Sequence, residues 1–242
     1  MAIFDDVPAL CGHRGCGRGV VDGYAENTLE SFLAAVRAGC TWVEVDARLT
    51  SDGALVARHD PALEDGRPIS EITAADADAA GVLRLDALLD ALPAGIGVDL
   101  EVKTALEDAL RAPDRTTGAH TALLARDAAA RRPVLVTSFD PSVLLVSRRL
   151  APAVPVGLLT WTRFPLRKAI PAAVHLGAAV VAPQFLSMDL PEAELRRAID
   201  IAHRAGLQIL GWCPPREAAD KLVAAGVDCL CVDDVLERAA HG

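Results

Sequence analysis

Two short stretches carry residues able to do chemistry. Cys11-Gly12-His13-Arg14-Gly15 sets an imidazole beside a guanidinium at the end of an apolar run, and Trp42-Val43-Glu44-Val45-Asp46 alternates. Residues two apart in a strand share a face, so Glu44 and Asp46 project together, roughly 7 Å apart at ~3.3 Å per residue. Two carboxylates on one face repel unless protons or a cation lie between them. That is a first sign of a metal. His59 adds a second imidazole beside Asp60, and Glu101-Val102-Lys103 adds another carboxylate and an ammonium.

These residue types suit phosphodiester cleavage. A dialkyl phosphate is anionic, repels nucleophiles and has a poor alkoxide leaving group. A divalent cation on Glu44, Asp46 and Glu101 would neutralise a phosphoryl oxygen. Three carboxylates with no Cys or His in the set favour a hard ion, Mg²⁺ or Ca²⁺. Arg14 and Lys103 would offset the remaining transition-state charge. His13 and His59 would divide the proton work, one accepting from the attacking hydroxyl and one donating to the leaving oxygen.

The elements that must position these groups repeat along the chain. Val7 to His13 reads as a strand, followed by a loop containing Gly15, Gly17, Gly19 and Gly23. Asn27 with Glu30 three residues later suggests a capping box ahead of a helix that Gly39 closes. Thr41 to Leu49 is the next strand, Asp52-Gly53 a tight turn, and Leu55 to Arg58 a short strand delivering His59. Asp65 to Gly81 shows no period. Leu83 to Leu92 reads as helix, and Gly95 to Lys103 as strand with Asp99, Glu101 and Lys103 on one face. Beyond it, helices 117–131, 141–150, 165–176, 191–205 and 216–225 alternate with strands 134–139, 154–160, 178–183, 207–212 and 229–232.

Unbroken apolar runs such as Val134–Val136 and Ala178–Ala182 are those of parallel strands buried on both faces. Eight such units in 242 residues fit a single-domain (β/α)8 TIM barrel covering residues 1–242. A doubly wound sheet is the alternative, and no G-x-G-x-x-G follows the first strand to support it. In a barrel the active site lies at the C-terminal strand ends. His13 and Arg14, Glu44 and Asp46, His59, Glu101 and Lys103, Trp212 and Asp233 all fall there. Structural readings stand beside these. Glu44 and Asp46 can pair with Arg14, Arg48 or Lys103, Trp212 can be core, and Asp233 can cap the last helix. His120, His175, His203 and His241 fall on helices or the tail and read as surface.

Composition excludes several classes. A net charge of −9 without a basic stripe argues against nucleic-acid binding. Aromatics at 4% against 52% apolar residues require an aliphatic core. No run reaches the ~20 apolar residues of a membrane span. The start lacks a basic segment before an apolar run, so no signal peptide is expected. The six cysteines show no C-x-x-C or zinc spacing, which points to reduced thiols, mostly core, and a cytoplasmic location.

At these residues the sequence resembles the glycerophosphodiester phosphodiesterase family. The matching segments are Gly12-His13-Arg14-Gly15, Glu26-Asn27-Thr28 with Ser31-Phe32, Gly39 through Asp46, and Thr50-Ser51-Asp52-Gly53. His59-Asp60-Pro61, Glu101-Val102-Lys103, Ser138-Phe139-Asp140, Gly206-Leu207, Trp212 and Gly226 through Asp233 extend them over nearly the whole chain. The resemblance implies a (β/α)8 barrel that hydrolyses a small-molecule glycerophosphodiester to sn-glycerol 3-phosphate and an alcohol. It implies Ca²⁺ or Mg²⁺ on Glu44, Asp46 and Glu101, an acid/base pair His13 and His59, and phosphate binding by Arg14 and Lys103. It also implies attack by a glycerol hydroxyl through a cyclic phosphate.

Three departures bear on substrate. The segment 62–83 is short, Cys213-Pro214-Pro215 stands where Thr-x-Asn is usual, and Val232 replaces a threonine. A more open mouth admits bulkier alcohols, so a lysophospholipase D-like activity is the alternative, with Trp161, Phe164 and Phe185 as mouth candidates beside Trp212. A phosphate-binding barrel without turnover is a third reading, disfavoured by the presence of both histidines.

Overall fold

In chain order the elements are β1 (Ala9–His13), a hairpin of β2 (Val20–Val21) and β3 (Tyr24–Ala25), α1 (Leu29–Arg37), β4 (Trp42–Leu49), β5 (Leu55–Ala57), α2 (Ala74–Ala79), α3 (Leu85–Ala91) and β6 (Gly97–Val102). There follow α4 (Thr117–Ala128), β7 (Val134–Ser138), α5 (Pro141–Leu150), β8 (Val156–Thr160), α6 (Leu166–Leu176), β9 (Val180–Pro183), α7 (Glu192–Arg204), β10 (Gln208–Trp212), α8 (Arg216–Ala225), β11 (Cys229–Val232) and α9 (Val235–Ala239). This computed structural model describes residues 2–239. β1, β4, β6, β7, β8, β9, β10 and β11 pair in parallel in that order, and β11 returns to β1. The result is a closed (β/α)8 barrel, as the repeat predicts. β5 lies outside the ring, antiparallel to β4 across the Asp52-Gly53 turn.

Side-chain alternation sorts each strand between two apolar layers. Val43, Val45, Val98, Leu100 and Val136 face the helices and share one core with Phe32, Leu88 and Leu144. Cys11, Trp42, Leu135, Leu159, Leu210, Cys229 and Cys231 fill the barrel interior. Gly97 is required there: a Cβ would lie 2.3 Å from the Trp42 ring. Phe4 meets that ring edge-on at 5.1 Å between centroids. All six cysteines are free.

Several boundaries differ from the sequence reading. Thr28, not Asn27, caps α1, its hydroxyl accepting from the Ser31 N–H. Asn27 is committed elsewhere, as shown below. Segment 65–81 contains α2, capped reciprocally by Thr73 and Asp76 and too short to display a period. Val56, Leu63, Ile69, Ile72 and Ala77 form a small separate core beneath it. Gly95 lies in a turn at φ +87°, so the strand begins at Gly97. His175 and His203 are exposed. His120 is instead half-buried against the Gly53 turn. His241 lies outside the described residues. No helix among those described is long and apolar enough to cross a membrane.

Candidate active site

Register assembles the site. His13 pairs with Glu44 across β1 and β4, Glu44 with Asp99 across β4 and β6, and Asp46 with Glu101 one layer higher. All point inward by the same alternation that sends Val43, Val45 and Leu100 outward. After His13 the chain must turn away from the barrel mouth. Arg14 at φ +52° and Gly15 at φ +96° make that turn, and a Cβ on Gly15 would strike Ser31 Oγ at 2.4 Å. The strand ends open onto a cavity of about 770 Å³ whose walls include His13, Arg14, Glu44, His59, Glu101 and Lys103.

Glu44, Asp46 and Glu101 each direct a carboxylate oxygen into one cluster, these atoms lying within 4.8 Å of one another. Glu44 Oε2 accepts the Arg14 backbone N–H at 2.9 Å, while buried Glu44 Oε1 has no hydrogen-bond partner among the described residues. Asp46 Oδ2 accepts from Asn27 Nδ2 at 2.8 Å and lies 3.2 Å from Arg14 Nε. Lys103 Nζ bridges Asp46 Oδ1, at 3.0 Å, and Glu101 Oε1. Arg14 is held in addition by Glu26 at 3.0 Å.

Burial and the charges of Asp46 and Glu101 push the Glu44 carboxyl well above the usual carboxylate range. Burial also raises Glu101, with Lys103 opposing and Asp46 adding to the rise. Asp46 goes the other way. Burial would raise it, but Lys103, Arg14 and the Asn27 amide outweigh that and lower it. One layer below, burial pushes Asp99 up to about 8 despite the bond it accepts from Thr137 at 2.7 Å. Crowding of buried carboxyl groups thus disfavours full ionisation of the cluster, although Arg14 and Lys103 lie against it.

Both imidazoles are oriented by acids. His13 is 8% exposed, and its Nδ1 lies 2.6 Å from Asp233 Oδ1. Burial opposes the Asp233 charge, yet the His13 ring and the Arg18 N–H, 2.9 Å away, hold this carboxyl below the usual range. An ionised carboxylate only accepts, so Nδ1 carries the proton and Nε2 is left for the cavity, 3.9 Å from Glu44 Oε2. His59 repeats the arrangement in the open, with Nδ1 2.8 Å from Asp60 Oδ1 and its side chain 40% exposed. Its carbonyl accepts from the Arg48 guanidinium at 2.9 Å.

Next to Lys103, whose Nζ lies 6.0 Å from the Phe139 ring centroid, an aromatic wall begins. Phe139 stacks on Trp161 at 4.1 Å between centroids and meets Trp212 edge-on at 5.9 Å. Trp212 donates its indole N–H to the Ala182 carbonyl at 3.2 Å and lines the cavity with Phe185. Trp161 is 66% exposed at the mouth, whereas Phe164 packs against the core and is not a wall residue.

The structure thus brings His13, Arg14, Glu44, His59, Glu101, Lys103 and Trp212 to one cavity, with Asp46 buried behind the carboxylates. Asp233 turns onto His13. Asn27, read from sequence as a helix cap, and Cys213, read only as a departure bearing on substrate, are site residues whose contacts with Asp46 and His13 sequence reasoning missed. Asn27 carried a signal in the family-matching Glu26-Asn27-Thr28 segment, and Cys213 only in standing where another residue is usual.

Comparison with known proteins places this geometry. The pattern of the Glycerophosphoryl diester phosphodiesterase family matches residues 13–237, and the chain belongs to that family. Solved structures share the fold. The glycerophosphodiester phosphodiesterase of Thermotoga maritima superposes with a TM-score of 0.76 at 20% identity, covering 96% of both chains. A phosphodiesterase of Oleispira antarctica, solved with the product sn-glycerol-3-phosphate, gives 0.74 at 21% identity over 100% of both chains. The glycerophosphocholine phosphodiesterase of Schizosaccharomyces pombe is 41% identical over 56 residues, 22% of this chain. That match spans only 5% of the length of the fission-yeast protein.

Proposed function

We propose that this barrel hydrolyses glycerophosphodiesters to sn-glycerol 3-phosphate and an alcohol, with one divalent cation, Ca²⁺ or Mg²⁺, on Glu44, Asp46 and Glu101. The observation that carries the proposal is a single cavity facing both the carboxylate cluster and two imidazoles whose Nδ1 atoms are each held by an acid. The donor set fits a hard cation: all ligands are oxygens, and buried Glu44 Oε1 lacks a partner among the described residues. When bound, such a cation neutralises charge on a phosphoryl oxygen.

The chain's own groups supply the rest. Arg14 and Lys103 line the wall with positive charge and bind the phosphate. With Nδ1 engaged, Nε2 is the working atom of each histidine. One neutral ring takes the proton of the attacking hydroxyl, and the other, protonated, gives its proton to the departing alkoxide. Asp233 stabilises the charge that His13 gains when protonated.

The test is release of sn-glycerol 3-phosphate from a panel of glycerophosphodiesters, with and without a chelator. Metal-restorable release supports the proposal, and its absence across the panel overturns it. The stacked pair Phe139 and exposed Trp161 favours a second reading, in which lysophospholipids enter with their chain along this wall. Faster cleavage of lysophosphatidylcholine than of glycerophosphocholine would select it.

A further inference from the structure

On the far side of His13 from the carboxylates lies a different set of donors. His13 Nδ1, Cys213 Sγ and Asp233 lie together, their ligand atoms within 4.8 Å of one another. Sγ is 3.4 Å and Asp233 Oδ1 2.6 Å from Nδ1. Cys213 follows β10 at φ +51°, and its N–H donates to the Cys231 carbonyl at 2.7 Å. All three residues also line the cavity, which leaves a fourth position open to water or an anion.

We propose that His13, Cys213 and Asp233 form a second cation site that takes a borderline-soft ion such as Zn²⁺, and that occupation withdraws His13 from proton transfer. A tetrahedral centre with Zn–N near ~2.0 Å and Zn–S near ~2.3 Å sets nitrogen and sulfur roughly 3.5 Å apart, close to the spacing here. The imidazole–carboxylate pair must open by under about 1 Å to admit the ion. Nitrogen, thiolate and carboxylate together suit Zn²⁺, whereas Mg²⁺ and Ca²⁺ prefer the all-oxygen cluster. Two sites of different softness thus flank one imidazole.

The protons balance. The Cys213 thiol releases one proton to solvent as Sγ bonds to the ion, and Nδ1 gives up its proton, which reappears on Nε2. The ring stays neutral, but Nε2 loses the lone pair that faces the cavity. One thiolate and one carboxylate then neutralise the divalent charge. The inhibitory consequence rests on His13 serving in proton transfer, as proposed above, while the binding itself does not.

Co²⁺ serves as a spectroscopic stand-in for Zn²⁺. With the oxygen site first saturated by Mg²⁺, Co²⁺ titrated into the reduced protein should raise a thiolate-to-metal charge-transfer band that added Zn²⁺ removes. Cys213→Ser should abolish the band and weaken Zn²⁺ binding by well over the ~10-fold that loss of an outer partner costs. Glu44→Gln should keep the band, since no carboxylate of that cluster is involved. Absence of the band in the parent protein, or its persistence in C213S, overturns the site. In the hydrolysis assay, micromolar Zn²⁺ should inhibit the parent at concentrations that leave C213S active relative to its own zinc-free rate, and equal inhibition of both overturns the regulatory claim. A protein that binds Co²⁺ through Cys213 yet hydrolyses nothing refutes the phosphodiesterase reading alone.

Discussion

Asn27 grips Asp46 from both sides: its amide Nδ2 donates to Asp46 Oδ2 at 2.8 Å, and its Oδ1 accepts the Asp46 backbone N–H at 3.3 Å. It does so from φ +57°, a conformation that asparagine tolerates better than most residues. Asn27 is therefore a positioning residue for one of the three clustered carboxylates. Replacement by Gly, which suits that backbone, should raise the half-saturating Mg²⁺ concentration by ~10–100-fold. Calorimetric titration beside a thermal melt separates this from a loss of folding. An unchanged titration would remove Asn27 from the site.

Asp233 should act through the tautomer of His13. Asp233→Asn keeps the shape but offers an amide N–H to Nδ1, which favours the proton on Nε2. Turnover should fall by at least ~100-fold with little change in KM. Nitrogen NMR of the His13 ring reads the tautomer directly, and an unaltered ring with reduced turnover would contradict this account.

The two histidines should be equally indispensable but differ in structural cost. His13→Ala and His59→Ala should each lower kcat by ~10²–10⁴-fold. Only the first opens space in a buried row, so His59→Ala should melt close to the parent. A His59 variant retaining most of its turnover would end its assignment as a proton donor or acceptor.

Metal affinity should rise with pH. Burial and mutual repulsion hold Glu44 and Glu101 above the usual carboxylate range, so protons compete with the cation for both. Raising the pH removes that competition. Asp46, already lowered, adds nothing to the trend. The half-saturating Ca²⁺ or Mg²⁺ concentration should fall as the pH rises above the usual carboxylate range. A flat profile would show that the two glutamates titrate lower than their burial dictates.

Gly97→Ala tests the barrel interior. A Cβ there meets the Trp42 ring at 2.3 Å, and that ring is itself packed edge-on by Phe4. Overpacking of this kind should cost about 1–3 kcal/mol in a denaturant titration. Wild-type stability would mean that the ring can move.

Much of this was written in strand periodicity. Glu44, Asp46 and Glu101 sit among apolar neighbours of period two, so one assignment of strand fixes their common face. The parallel order then aligns His13 with Glu44 and Asp46 with Glu101. What periodicity cannot carry is what loops do. Asn27 resembled a helix cap because its sequence context suits one, and only the positive φ turns its amide toward Asp46. Cys213 reaches His13 through a similar backbone turn. Asp99 shares the face of Glu101, yet strand pattern does not report depth, and depth is what raises its carboxyl to about 8.

The second imidazole hangs from a spur. His59 follows β5, which lies outside the ring, pairs antiparallel with β4, sends Ala57 into the main core and sets Val56 in the minor core around Ile69 and Ile72. A small foldon of this kind opens at lower free energy than the barrel that supports it. Heat or mild denaturant should then abolish the proposed hydrolysis while the eight-stranded ring still gives most of its circular dichroism signal, and cooling should restore hydrolysis without refolding of the ring.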